Sequence, residues 1–383
     1  MRLPWLGKSR RASRKPPSSG AYRTETIADV PVPERGESVR FFSRKVVRHG
    51  KLRGFSNRDP RESLLFLFYL GVAAALPLAW WAPICGWVST LRRKRHFRKE
   101  FARYEAAIKA VLGNDADTQS LFNGHLAAAH RRRLILAAHL AGGWRWTPTI
   151  RLEGLDGLRE ALRRGRGAIL WCDQFTSQTI IGKRALFEAG IEAHQVSVNF
   201  HGFSPTKFGL HVINRPLVKV ENRFLKSRIV FERADAYQVT MRIQKILKDN
   251  GVVLMTNTIQ AGSTFAEAPI GVHGWTQLAS APANFAARGG AALFAMSTLE
   301  TEPFRDYRAI VSPELRPETE QAGVRPAKDT AAKNLVLQAG YILAKRDRLL
   351  EALRLHPEQM MAWSGANRLT ERSDDPAIDD DAA

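Results

Sequence analysis

The chain has 383 residues, 44% of them hydrophobic and 25% charged, and a formal net charge of +21. Its length predicts an α/β body with helical and disordered additions, and its basic excess calls for an anionic partner, either a membrane face or nucleic acid. Two cysteines, Cys85 and Cys172, argue against a disulfide framework or a thiolate metal site. The histidines show no zincin spacing, and neither a phosphate-binding G-x-x-x-x-G-K-[ST] loop nor a dinucleotide fingerprint occurs, so no cofactor is expected.

Residues from Met1 to about Arg40 mix Arg and Lys with Ser, Pro and Gly, as in Arg10-Arg11-Ala12-Ser13-Arg14-Lys15-Pro16-Pro17, and read as a basic disordered arm. Glu25, Asp29, Glu34 and Glu37 weaken a transit-peptide reading. From Leu64 to Val88 there is no charged residue, which is long enough for a helix to cross the hydrocarbon layer. Trp80, Trp81 and Trp87 suit an interfacial belt, whereas Pro77 and Pro83 would kink a spanning helix and favour a hairpin. Both flanks are basic, with Arg40, Arg44, Lys45, Arg48, Lys51, Arg53, Arg58 and Arg61 before and Arg92 to Arg95, Arg98 and Lys99 after. A monotopic anchor with both flanks on one anionic leaflet satisfies the positive-inside rule better than a simple transmembrane helix.

Phe101 to His139 carries apolar residues at helical spacing, broken near Gly113-Asn114-Asp115, and predicts two amphipathic helices with the triplet Arg131-Arg132-Arg133. From Gly165 the pattern alternates between short apolar runs and helical stretches, as in an α/β sheet. Expected strands are Ala168–Cys172, Gln195–Asn199, Val252–Thr256, Ala291–Ser297 and Tyr307–Val311. Expected helices are Ile180–Ala189, Tyr237–Lys248, Gln277–Arg288 and Thr330–Leu353. The organisation read from this pattern is a basic arm over 1–60, a membrane anchor and basic flank over 61–100, an α/β body over 101–365 and an acidic disordered tail over 366–383.

Several stretches carry a likeness: Leu76-Pro77-Leu78, Leu155-Asp156-Gly157-Leu158, Gly165-Arg166-Gly167-Ala168-Ile169-Leu170 and His356-Pro357-Glu358-Gln359-Met360. In their order the chain resembles the lysophospholipid acyltransferase superfamily, and within it the late acyltransferases of lipid A synthesis. That resemblance implies a mixed sheet flanked by helices behind a hydrophobic N-terminal anchor, at the cytoplasmic face of a bacterial inner membrane. The implied reaction moves a fatty acyl chain from an acyl carrier protein or coenzyme A thioester to a lipid or glycolipid hydroxyl.

The family places a histidine just after the first strand and a carboxylate five residues later, so that the carboxylate orients the imidazole as general base. Laid on that pattern, Gln174 stands at the histidine position and Thr179 at the carboxylate position, and a glutamine amide cannot serve as a base. Either another group replaces the base, or the chain is a catalytically silent relative that binds lipid or a partner protein. Asp173, whose bland alternative is a turn or cap residue, and His201, which follows the next strand, are the candidate substitutes. His211 and His273 are lesser ones. Cys172 at the end of an apolar strand reads as inert core.

Asn257 and Gln260 are the polar residues nearest the position where the family carries an aspartate. Gly271 supplies a permissive turn, and Thr276 a hydroxyl or cap at an expected helix start. Together these four are the candidate substrate-binding residues, with an ordinary strand-to-helix turn as the alternative. The basic residues Lys207, Arg215, Lys219, Arg223, Lys226 and Arg228 read mostly as a solvated face. A nucleic-acid-binding role rests on charge alone, without a stacking or groove-reading motif.

Overall fold

The computed structural model describes residues 22–30, 39–48, 53–96, 98–142, 146–198, 201–231, 236–257, 264–317, 330–361, 363 and 369–370. In chain order its strands and helices are β1 (Tyr22–Val30), β2 (Arg40–Arg48), α1 (Arg58–Ala75), α2 (Trp81–His96), α3 (Arg98–Leu112), α4 (Thr118–Ala137), β3 (Thr149–Glu153), α5 (Leu155–Arg163), β4 (Ala168–Cys172), α6 (Lys183–Glu188), β5 (Ala193–Val198), α7 (Arg215–Asn222) and β6 (Ser227–Phe231). There follow α8 (Ala236–Lys248), β7 (Val252–Thr256), β8 (Thr264–Ile270), β9 (Gly274–Ala279), α9 (Ala281–Gly289), β10 (Ala292–Glu302), β11 (Asp306–Val311), α10 (Thr330–Leu355) and the short β12 (Leu369–Thr370).

Seven strands form a mixed sheet in the order β3-β11-β10-β4-β7-β5-β6. Neighbours are parallel except β10 and β11, which pair antiparallel. Alternation along β4 divides its side chains between two cores. Ile169 and Trp171 join the layer containing Ile342, Leu349 and Leu353 of α10, whereas Ala168, Leu170 and Cys172 join the layer containing Leu158 of α5 and Leu186 of α6. The chain leaves β4 for β5 in one direction along the sheet and leaves β7 for β10 in the other, so a topological switch point lies at the carboxyl ends of β4 and β7.

A second, antiparallel sheet has the order β1-β2-β8-β9-β12. Two of its strands come from the stretch expected to be a disordered arm. In β2, Phe41 and Phe42 are buried, and Phe42 stacks on Phe265 of β8 with ring centroids 5.0 Å apart. Those two aromatic residues give the basic stretch apolar surface to bury. The acidic tail from 371 onward lies outside the described residues.

The uncharged stretch Leu64–Val88 is not one helix. Leu76 precedes proline and is extended (φ −102°, ψ 145°), because the Pro77 ring disfavours the helical region for the residue before it. A 3-10 turn, Leu78–Trp80, then leads into α2. Pro83 causes no kink, since it falls in the first turn of α2, where amide groups have no intrahelical acceptor. Among the described residues no helix is long and apolar enough to cross a membrane. The stretch is thus a helix, a break at Pro77 where a kink was expected, and a second helix through Pro83 where a kink was expected but does not occur.

α1 also turns its polar side inward. Asp59 is buried and accepts from Ser204 Oγ at 2.5 Å and Thr206 Oγ1 at 2.9 Å. Glu62 accepts from Arg133 Nε at 3.0 Å and Nη2 at 2.9 Å, and the Tyr69 hydroxyl lies 2.9 Å from His130 Nδ1. Leu64 and Leu67, by contrast, are 68% and 62% exposed, and Trp80 and Trp87 are 61% and 59% exposed.

Burial pushes His130 down to about 4 from the ordinary 6.5, with Arg133 and Arg61 adding to the effect. The unfolded chain therefore takes up a proton that the folded chain refuses, and stability falls as pH drops from 6.5 toward 4. Denaturant midpoints measured across that interval should decline in the wild type, and decline less steeply in His130→Gln. Parallel slopes for the two proteins would show that His130 is not a source of acid sensitivity.

Candidate functional site

Asp173 follows β4 directly, and alternation carries it to the same side as Ile169 and Trp171, toward α10. It is fully buried. Its Oδ2 accepts from Ser297 Oγ at 2.7 Å and its Oδ1 from Asn257 Nδ2 at 3.2 Å. Lys345 of α10, also 0% exposed, places Nζ 2.7 Å from Asp173 Oδ1. That ion contact lies outside hydrogen-bond angles, so the ammonium has no directional acceptor. The cluster thus gathers Asp173 from the end of β4, Asn257 from the end of β7, Ser297 from β10 and Lys345 from α10, at the switch point of the sheet.

The residues five apart that share this neighbourhood are Asp173 and Gln178. Gln178 Oε1 accepts from Thr298 Oγ1 at 2.6 Å, one residue beyond the Ser297 that binds Asp173. Gln174 is half-buried and contributes its carbonyl, which accepts from Met361 N at 2.9 Å. Thr179 is buried within the π turn Gln178–Gly182. Asp173 and Gln178, five residues apart, thus reach the adjacent β10 residues Ser297 and Thr298, whereas Gln174 and Thr179 do not join that cluster through any side-chain contact among the described residues.

The segment His356-Pro357-Glu358-Gln359-Met360 closes over this strand end. Thr176 N donates to Gln359 O at 3.0 Å, and Phe175 forms a β-bridge with Met360. Gln359 Nε2 donates to Glu300 O at 2.7 Å while Glu300 N donates to Gln359 Oε1 at 2.8 Å. Trp363, fully buried, donates from Nε1 to Pro357 O at 2.6 Å. A cavity of about 240 Å³ lies elsewhere, at the Pro77 break, lined by Ala73, Leu76, Pro77, Trp81 and Trp146.

His201 belongs to a different cluster. Its Nε2 lies 2.8 Å from Glu221 Oε1, and Lys183 Nζ lies 2.9 Å from the same oxygen. Arg228 contacts the other carboxylate oxygen. Burial opposes ionisation of Glu221, but Lys183, His201 and Arg228 outweigh it and hold the carboxyl well below its ordinary range. Burial pushes the Lys183 ammonium down to about 8, partly offset by Glu221. Burial likewise lowers His201, again against the pull of Glu221. The His201 side chain is 24% exposed and has no protein partner at Nδ1 among the described residues.

Of the four expected substrate-binding residues, the three that are described, Asn257, Gly271 and Thr276, have separate surroundings. Asn257 is buried against Asp173, and Gln260 lies outside the described residues. Thr276 does not cap a helix, because Gly274–Ala279 is strand β9; its hydroxyl is buried without a partner among the described residues. Gly271 does occupy a positive-φ turn (φ +66°), packed against α3 rather than a ligand. Cys172 is buried core, and its thiol is pushed up to about 12, chiefly by that burial.

Lys345, Ser297, Lys183 and Glu221 were missed in the sequence. Lys345 did carry a signal, since Ile342, Lys345 and Leu349 lie at helical spacing on one stripe, and an ammonium on an apolar stripe requires a buried counter-charge. No family model matches the chain, and no curated protein matches it.

Two consequences are measurable. Breaking a buried pair leaves one charge uncompensated and costs roughly 3–5 kcal/mol, so Asp173→Asn or Lys345→Met alone should lower the unfolding free energy by about that much. The double variant should recover most of the loss, and additive losses in a denaturation cycle would rule the pairing out. At Gly271 an added Cβ would stand 1.9 Å from the Val111 carbonyl oxygen, whereas at Gly165 (φ +73°) it would meet nothing within 4 Å. Gly165→Ala should thus cost about 1 kcal/mol and Gly271→Ala several, compared by thermal unfolding.

Proposed function

We propose that this protein sits on an anionic membrane surface through α1 and α2 and holds lipid with an acyltransferase-like body that no longer catalyses acyl transfer at its first-strand site. The observation that carries this reading is the state of Asp173. A base must reach its proton donor, and this carboxylate is sealed from solvent, bound by Ser297 and Asn257, and paired with Lys345. Gln178, five residues on, is an amide engaged by Thr298 rather than a carboxylate that could orient a base.

The membrane part rests on the apolar side chains that α1 leaves exposed, although Leu65, Phe66 and Leu70 pack inward, and on the exposed tryptophans beyond it. Leu64, Leu67, Phe68, Leu76, Trp80, Trp87 and Leu91 are exposed on α1, the break and α2. Each such side chain gains about 1.5–3 kcal/mol when its apolar surface leaves water, enough in combination for a monotopic anchor beside basic flanks. The cytoplasmic face of a bacterial inner membrane is the location this reading takes from the family resemblance.

A second reading keeps the enzyme. The pair His201 and Glu221 is a carboxylate-oriented imidazole whose Nδ1 has no partner among the described residues, an arrangement a general base can use. In that case a thioester of acyl carrier protein or coenzyme A would donate, and a lipid or glycolipid hydroxyl would accept.

Flotation with anionic vesicles tests the first reading. The full chain should float, and Leu64→Glu with Leu67→Glu should weaken binding at least about tenfold without altering the fold, because both side chains already face solvent. Incubation with acyl thioesters and membrane lipids should give no transfer. Transfer that disappears in His201→Ala would establish the second reading in its place, and failure to float would remove the membrane assignment.

A further inference from the structure

Arg131, Arg132 and Arg133 are consecutive on α4, and the fold uses them differently. Arg131 Nε lies 2.5 Å from Glu300 Oε2, and Arg133 grips both carboxylate oxygens of Glu62. Arg132 makes no ion pair or hydrogen bond among the described residues. Its guanidinium carbon stands 5.0 Å from the centroid of the Phe203 ring, and its Nε is sealed from solvent without an acceptor. The sealed donor is Nε alone, and the residue as a whole is only half-buried, so the outer edge of the guanidinium can be reached.

Neighbouring carboxylates do not fill the gap. Glu221 and Glu62 act on Arg132 electrostatically, but Glu221 is engaged by Lys183, His201 and Arg228, and Glu62 by Arg133 and Arg58. Six cationic side chains, Arg58, Arg61, Arg132, Arg133, Lys183 and Arg228, therefore act on the two carboxylates Glu62 and Glu221. A partly buried guanidinium without an acceptor is costly, and the deficit is one of negative charge.

We infer that Arg132, whose guanidinium lies over the Phe203 ring, is the contact point of a phosphate-binding site, and that its ligand is a phosphate monoester. The planar fork of arginine matches two phosphate oxygens, and a monoester brings close to two negative charges where a carboxylate brings one. The Phe203 ring lies under the guanidinium groups of both Arg132 and Arg133. The cluster also borders α1 through Glu62, so the monoester could be a lipid head group or a soluble phosphate; the shared chemistry is the same. This inference stands on the charge arrangement around Arg132 and does not depend on the membrane reading.

The full chain is titrated with inorganic phosphate against chloride at matched ionic strength, following thermal unfolding. Phosphate should raise the unfolding temperature saturably and beyond chloride. Arg132→Met should weaken that response at least about tenfold, as expected for hydrogen bonds to a charged group, while the ligand-free protein stays as stable as the wild type or more so, having lost an unpaired cation. Equal responses to phosphate and chloride, or an unchanged phosphate affinity in Arg132→Met, would overturn the assignment. If Arg132→Met does not fold, Arg132→Lys keeps the charge and removes the fork, and undiminished phosphate affinity in that variant overturns it equally. Vesicles of phosphatidylcholine with phosphatidic acid, compared at equal surface charge with vesicles containing phosphatidylglycerol, then distinguish the source. A preference for phosphatidic acid that Arg132→Met abolishes assigns the lipid head group, and no preference alongside an intact phosphate response assigns a soluble monoester. Loss of all vesicle binding with the phosphate response retained would count against the membrane reading alone.

Discussion

The pairing of Asp173 with Lys345 is the constraint on which the sheet end depends. Two unit charges have left water there, and neither could remain alone in the core, because an isolated buried charge costs several kcal/mol. The pair consequently fixes the position of α10 relative to β4. It also recruits Ser297 and Asn257, so that the ends of β4, β7 and β10 are tied through one carboxylate. With the lysine in place, the His356–Met360 segment can close over the strand end, and Trp363 can bury itself beneath it. A site that open α/β folds commonly leave as a crevice is here filled with protein.

The same economy of charge explains how α1 lies. A helix with Leu64, Leu67 and Phe68 would ordinarily turn them toward the core. Here α4 and the segment after β5 offer polar partners instead, Arg133 and His130 from the helix and Ser204 and Thr206 from the segment. Asp59 and Glu62, together with Leu65, Phe66, Tyr69, Leu70 and Val72 on the inward side, therefore determine the rotation of α1 about its axis, and Leu64 and Leu67 are left outward. Pro77 then prevents the apolar stretch from continuing as one rod, which converts a length sufficient to span a bilayer into a bent pair of helices.

Much of the central sheet was legible because its strands are short apolar runs bounded by turn residues. Ala168–Cys172 and Val252–Thr256 are strands at the expected residues, and α8 and α10 lie where the helical periodicity put them. The second sheet was not legible. Gly274–Ala279 was absorbed into an expected helix over Gln277–Arg288, since Leu278 and Ala279 continue the apolar spacing into α9, and a strand of that length offers periodicity too little room to discriminate. β2 was hidden in a basic stretch because strand pairing rests on Phe41 and Phe42, two residues within many charges. At the site, Asp173 and Gln174 are neighbours in sequence with different surroundings, the first buried among Ser297, Asn257 and Lys345 and the second half-buried. A period of two accounts for that difference, since Asp173 points toward α10 and the next residue does not.

Charge was the least legible property, for a reason the arginine triplet makes concrete. Successive residues on a helix point about 100° apart, so Arg131, Arg132 and Arg133 address three different environments although they are one motif in the sequence. Arg131 meets Glu300 from β10 and Arg133 meets Glu62 from α1, and of the two that lie over Phe203, Arg132 is the one without a carboxylate partner among the described residues. A run of like charges is usually a solvated face, and that rule would have dismissed all three alike. What separates them is the set of elements that packs against each direction, which is fixed by tertiary structure and has no local signature. The net charge of +21 thus divides into cations neutralised inside the fold and cations that are not, and only the second group can recruit an anion.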